Sequence, residues 1–225
     1  MAAVTNHEER LTLATPKGEL PAALVPADRP IAALIVAHGA GAGMNHPFLT
    51  GFCHAIAEHA VTTLRFDFPY MAAGRRSPGQ PAAAISSIVA ACDEATERAG
   101  GVPVLVGGKS YGGRMASMAV AQGLAAAGLV FLGYPLHAPG RSDQLRDEHL
   151  YGIGVPMLFL QGTRDPFAEQ AVLTSVLRRV GARATYHPIE GGGHSFERSR
   201  KDPPREVGAT LAPIAADWIR EQVVA

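Results

Sequence analysis

Cysteine, aromatic side chains and unbalanced charge are all scarce in this sequence, and each scarcity removes a class of protein. Only Cys53 and Cys92 are present, in separate alanine-rich stretches and without the C-x-x-C or mixed Cys/His spacing of redox and zinc sites. A disulfide framework is thereby excluded, and both residues are expected as buried free thiols. The 20 Lys plus Arg are matched by 20 Asp plus Glu, so no basic surface selects nucleic acid or an anionic membrane as partner. No apolar run approaches the roughly 20 residues of a membrane span. The start, Met1-Ala-Ala-Val-Thr-Asn-His-Glu-Glu-Arg10, lacks the basic and apolar segments of a signal peptide. A soluble protein of the reducing cytoplasm is expected. At 225 residues, 47% of them hydrophobic, a single domain over 1–225 can bury a core that needs no metal or disulfide.

What is present is an alternation of strand-like and helix-like segments. Arg10–Ala14 and Glu19–Val25 flank Pro16-Lys17-Gly18, a turn signal, and predict an antiparallel pair at one sheet edge. Ile31–Ala37 is continuously apolar, as befits a central parallel strand covered on both faces. Further strands are expected at Val61–Phe66, Val102–Val106, Ala127–Leu132, Val155–Gln161 and Arg183–Pro188. Helices are expected at Phe48–Ala60, from the end of a loop that includes Pro81 to about Arg98, after Ser110, up to about Val180, and at Glu206–Val224. This order builds a mainly parallel sheet with helices on both faces. There is no internal repeat and no interdomain linker. The polar segment Ala138–Gly154 is too short for a helical cap domain, which points to a shallow cleft and to small substrates.

Chemistry concentrates at Val104-Leu-Val-Gly-Gly-Lys-Ser110-Tyr-Gly-Gly-Arg-Met115, a strand, a tight turn and a helix. Gly108-Lys109-Ser110-Tyr111-Gly112 fits G-x-S-x-G, in which a serine on a strained turn projects its hydroxyl above a sheet. A side chain at Gly108 or Gly112 is expected to collide across that turn. Gly108-Lys109-Ser110 also ends like a phosphate-binding loop, but position 103, where that motif needs its first glycine, is Pro103. His38-Gly39-Ala40-Gly41 follows a buried strand and is either a plain connection or a loop whose Ala40 N–H joins that of Tyr111 as an oxyanion hole. His38 then supports the loop by hydrogen bonding, and His46 either lines the mouth or is solvated.

Asp165 and His194 lie in two further turns that leave the same sheet edge. A serine hydroxyl is a poor nucleophile until an imidazole takes its proton, which assigns His194 as base. A carboxylate at Asp165 would fix the imidazole tautomer and stabilise its protonated form. Tyr70 and His137 are candidate pocket walls. Arg114, one helical turn past Ser110, either holds neighbouring loops or attracts a carboxylated substrate. Lys109 is expected to point away from the reacting atoms. No His or acid cluster has metal-ligand spacing, so neither metal nor cofactor is implied.

Taken together, the elbow, His38-Gly-Ala-Gly41, Arg65-Phe-Asp-Phe-Pro-Tyr70, Gln161-Gly-Thr-Arg-Asp165 and Gly192-Gly-His-Ser-Phe196 resemble the small α/β-hydrolases related to testis-expressed and NSL-complex-subunit proteins, cousins of the dienelactone hydrolases. The similarity runs from residue 19 onward. It implies an α/β-hydrolase fold without a substantial cap, a catalytic Ser110, Asp165 and His194 in that chain order, and oxyanion donors at Ala40 and Tyr111. Dienelactone hydrolases carry cysteine where this chain has Ser110, so their lactone chemistry is not carried over. The expected activity is hydrolysis of a small ester through an acyl-enzyme, with thioester or amide hydrolysis as alternatives. Because the resembling group includes scaffolding subunits, a non-catalytic interaction module is the competing expectation. A homo-oligomer is compatible with either.

Overall fold

The computed structural model describes residues 7–224. Met1–Asn6, part of the stretch read above for a leader, and Ala225 lie outside the described residues. Eight strands form one sheet: β1 (Glu9–Thr15), β2 (Gly18–Val25), β3 (Ala32–Ala37), β4 (Val61–Phe66), β5 (Val104–Lys109), β6 (Leu129–Leu132), β7 (Met157–Gly162) and β8 (Ala184–Ile189). Their spatial order is β1-β2-β4-β3-β5-β6-β7-β8. Only β2 runs against its neighbours β1 and β4; the pairs from β4 across to β8 are parallel. The expected edge hairpin is thus present, and the rest of the sheet is parallel, as the alternation of strands and helices predicts.

Every residue of β3 is buried, and its side chains divide between two cores with period two, as a strand covered on both faces requires. Ile35 and Ala37 join Val106, Met115, Phe131 and Phe159 on one face. Leu34 and Val36 join Phe52, Leu105, Val130, Leu158 and Trp218 on the other. The main helices are α1 (Pro47–Ala57), α2 (Pro69–Ala72), α3 (Pro81–Arg98), α4 (Tyr111–Ala121), α5 (Gln170–Val180), α6 (Pro204–Thr210) and α7 (Ala212–Ile219). The first face packs against α3, α4 and α5, the second against α1 and α7.

Several boundaries differ from expectation for identifiable reasons. Gly107, Gly108 and Lys109 belong to β5, paired with Val130, Phe131 and Leu132, rather than to the turn. A Cβ at Gly107 would stand 2.1 Å from the Val130 carbonyl oxygen, so glycine marks a close strand contact there. Helix α1 stops early because Ala60, at φ 66°, turns the chain directly into β4. The carboxyl-terminal helix is broken at Leu211, since Pro213 in the first turn of α7 has no N–H to continue α6. Asp67–Tyr70 does not simply leave the sheet; it winds into the short α2.

The chain leaves β3 toward β4 on one side and returns to β5 on the other. Such a reversal opens a crevice at the carboxyl ends of the two strands. Gly39–Gly41 and Ser110 follow those ends. The turns after β7 and β8, which carry Asp165 and His194, open on the same edge.

Candidate active site

Ser110 follows β5 directly and caps α4 at φ 50° and ψ −113°. A non-glycine residue holds such a conformation at a cost of about 1–3 kcal/mol, and only where its surroundings impose it. Here its N–H donates to the Leu132 carbonyl at 3.2 Å and its own carbonyl accepts from the Arg114 N–H at 3.0 Å. The flanking glycines clear the space for this, though not in the way the pentapeptide suggests. A Cβ at Gly108 or Gly112 would lie 2.1 or 2.2 Å from the Ala37 carbonyl oxygen, so both positions press on the end of β3 rather than on each other. The contact across the turn is at Gly113, whose Cβ would meet the Gly108 carbonyl oxygen at 2.7 Å.

The three loops bring Ser110, His194 and Asp165 into one hydrogen-bonded line. His194 Nε2 is 2.8 Å from Ser110 Oγ, and Nδ1 is 2.7 Å from Asp165 Oδ2. With the proton on Nδ1, His194 donates to the carboxylate and offers its Nε2 lone pair to the serine hydroxyl. Burial lowers the His194 pKa; the bond to Asp165 opposes that and the Lys109 charge adds to it. The neutral, acceptor form is therefore favoured near pH 7.

Asp165 is 3% exposed, and it is fixed by two groups to which the sequence analysis assigns no role at the site. The Gln161 amide donates to Oδ2 while its carbonyl oxygen accepts from the Tyr134 N–H at 2.8 Å. The Phe167 N–H donates to Oδ1 at 2.8 Å, and the Phe167 ring meets the His194 ring edge to face at 4.6 Å. Gln161 closes a strand and Phe167 follows a proline, so composition alone marks neither.

Beside Ser110 lies a cleft of about 370 Å³ bordered by Ala40, Tyr111, Arg114, His137 and Arg146. His46 also borders it and, through Nδ1, accepts from the Phe48 N–H at the start of α1. The Ala40 and Tyr111 N–H groups make no backbone hydrogen bond among the described residues, and first-turn helix donors have no partner within the helix. His38 is fully buried, accepting from the Phe68 N–H at 3.1 Å through Nε2 and bonding the Gly39 carbonyl through Nδ1. It supports the loop from below.

Two expected placements differ. Tyr70 is not a wall of this cleft: it is 5% exposed, packs edge-on against Tyr111, and its hydroxyl accepts from the Gly41 N–H at 3.2 Å. It braces the glycine loop from behind. Lys109 is not turned aside either. Its residue is 8% exposed, its ammonium donates to the His194 carbonyl at 2.8 Å, and burial draws its pKa down to about 8.

Among the described residues no group of three His, Cys, Asp or Glu side chains is arranged to hold a metal ion, and no helix is long and apolar enough to cross a membrane. Cys53 and Cys92 are buried free thiols, their pKa values raised chiefly by burial.

Known structures share this architecture at low sequence identity. A serine hydrolase without a lid from Xanthomonas campestris matches with a TM-score of 0.76 and 19% identity over 100% of this chain and 99% of its own. A dienelactone hydrolase from Anabaena variabilis matches at 0.76 and 18% identity, over 96% and 98%. The esterase domain of a Rhodothermus marinus protein matches at 0.72 and 15% identity, over 96% and 99%. At these identities the likeness is one of fold. The profile of one family, described as an alpha/beta hydrolase domain, matches residues 30–220, and the chain accordingly belongs to the α/β hydrolase family.

Proposed function

We propose that this protein hydrolyses small carboxylic esters through an acyl-enzyme formed on Ser110. The observation that carries the proposal is the continuous relay from Ser110 Oγ through His194 to Asp165, at 2.8 and 2.7 Å, on the floor of an open cleft. Ser110 Oγ attacks the ester carbonyl carbon as its proton passes to His194 Nε2, and the carbonyl π pair moves to oxygen. The Ala40 and Tyr111 N–H groups receive that oxyanion, and the start of α4 adds its positive end. Collapse breaks the acyl–oxygen bond, and the alkoxide leaves with the proton from His194. Water then repeats the sequence on the acyl-serine, releasing the acid and restoring Ser110. Asp165 holds the tautomer and stabilises the imidazolium.

The finer kinship, with the testis-expressed and NSL-complex-subunit group, rests on the Lys109-Ser-Tyr-Gly-Gly-Arg114 elbow. No specific observation favours the non-catalytic module, which has no use for a serine held in a strained conformation. The test is a panel of p-nitrophenyl esters. Each methylene buried is worth about 0.8 kcal/mol, a gain lost once the acyl chain outgrows the cleft. A burst of nitrophenol, with kcat/KM levelling beyond roughly four to six acyl carbons, is expected. A steady rise through ten or twelve carbons would contradict the small-ester assignment.

A further inference from the structure

The cleft beside Ser110 is bordered by two guanidinium groups that no carboxylate of its lining pairs with. Arg114 rises from α4 one turn beyond Ser110, and Arg146 comes from the short segment 138–154; both border the cleft. Among the residues bordering it there is no Asp or Glu; Lys109 borders it too, but its charge is balanced by Asp165 and Glu197. Arg114 Nε is buried with no hydrogen-bond partner. Leaving a buried donor unsatisfied is costly and asks for an acceptor that arrives from outside.

A structural role for the two guanidinium groups is already filled by other atoms. Segment 138–154 is anchored through its backbone, with the Arg146 N–H on the Leu136 carbonyl at 2.7 Å and the Arg146 carbonyl accepting from the Tyr134 hydroxyl at 3.2 Å. His149, in a 3₁₀ turn at Glu148–Gly152, reaches Ser117 of α4 at 2.8 Å. The acid next in sequence to Arg146, Asp147, is engaged by the Tyr151 hydroxyl. Among the described residues no hydrogen bond or ion pair therefore involves either guanidinium, although each repels the other. Two planar forks with free donors match the two oxygens of a carboxylate, which each can hold by paired, charge-assisted bonds.

We infer that Arg114 and Arg146 form a carboxylate-binding subsite, so that the preferred substrate is an ester bearing a free carboxylate close to the scissile bond. This rests on the hydrolase reading of the same cleft. The carboxylate is a spectator: it orients the ester over Ser110 while the acyl–oxygen bond breaks as described above. It sits in either the acyl or the alcohol half, and neutral esters of the same size bind without that anchor.

Two probe pairs test this, monoethyl succinate against ethyl butanoate for the acyl half and 4-acetoxybenzoate against phenyl acetate for the alcohol half. The ratio of anionic to neutral kcat/KM should exceed tenfold in at least one pair. Arg114→Gln and Arg146→Gln should each reduce that ratio by about 10- to 100-fold, the range of a lost hydrogen bond to a charged group. Arg114→Lys should restore part of it, and added salt should lower it in the wild type. Calorimetric titration of Ser110→Ala with monoethyl succinate and with 4-acetoxybenzoate reads the subsite without catalysis, and heat of binding lost in the Ser110→Ala, Arg114→Gln double variant is expected. Neutral esters turned over as well as anionic ones in both pairs would overturn the subsite and leave the hydrolase reading standing. Binding of an anionic probe with no ester turned over would do the reverse. Failure of both anionic probes to bind Ser110→Ala would also overturn the subsite.

Discussion

The ammonium of Lys109 donates to the backbone carbonyl of His194 across 2.8 Å, tying the residue before the serine to the loop that carries the imidazole. Because this lysine also lies close to the Phe196 ring, at 5.9 Å, one buried side chain fixes the distance between two loops that the sheet alone leaves independent. Its geometry makes it a positioning residue, and its charge lowers the His194 pKa.

Lys109→Met should lower kcat at least about tenfold with KM little changed, because an imidazole displaced by a fraction of an ångström loses its alignment with Ser110. The same change should move the acid limb of the pH profile upward. Stability supplies a second readout. The folded pKa of Lys109, about 8, lies below its ordinary 10.5, so between these values the unfolded chain holds more protons than the folded one. Wild-type stability should rise relative to Lys109→Met as pH increases from 8 toward 10.5. Parallel stability curves in urea titrations across that window would contradict the buried, charged lysine.

Asp165→Asn should reduce kcat by roughly 10³–10⁴-fold with the fold intact, since His194 loses the partner that sets its tautomer. The comparison variant is Asp67→Asn. Asp67 Oδ1 accepts from the Met44 N–H at 2.7 Å and lies 3.8 Å from His38 Nε2, so it shapes the glycine loop and should affect stability more than the chemical step. Near wild-type activity in Asp165→Asn would show that another acid serves the histidine.

The pH dependence of kcat/KM follows from the neutral imidazole that the first step requires. Burial lowers the His194 pKa from 6.5, so the base remains unprotonated further into acid than a free histidine. Activity should rise with pH along a limb whose midpoint lies below 6.5. As pH falls through 6.5 the unfolded chain takes up the His194 proton first, and this residue's contribution to stability declines with it. A limb centred above pH 7 would mean that Asp165 outweighs burial.

Ser110, Asp165 and His194 are legible in the sequence because each stands in a turn after a strand-like segment, and parallel strands place such turns on one edge. His38 is legible as a support for the same reason, sitting where a buried strand meets a glycine loop. What periodicity cannot supply is the direction of a side chain at a strand end. Gly107-Gly108-Lys109 reads as a turn, yet it pairs with β6, and that register sends Lys109 under the His194 loop. Tyr70 follows a proline that starts α2, and the helical turn carries its ring behind the glycine loop. Arg146 is invisible as a cleft residue because its segment has no regular period to argue from. Its place depends on Leu136, Tyr134 and Ser117, which meet only in the folded chain.

The most direct measurement is reaction with a fluorophosphonate probe, followed by intact-mass and peptide analysis. Wild-type protein should gain one phosphonyl adduct on the peptide containing Ser110, Ser110→Ala should gain none, and His194→Ala should be labelled far more slowly, because the probe requires a serine activated by its imidazole. Equal labelling of wild type and Ser110→Ala, or an unmodified wild type under conditions where a known serine hydrolase is fully labelled, would contradict the account.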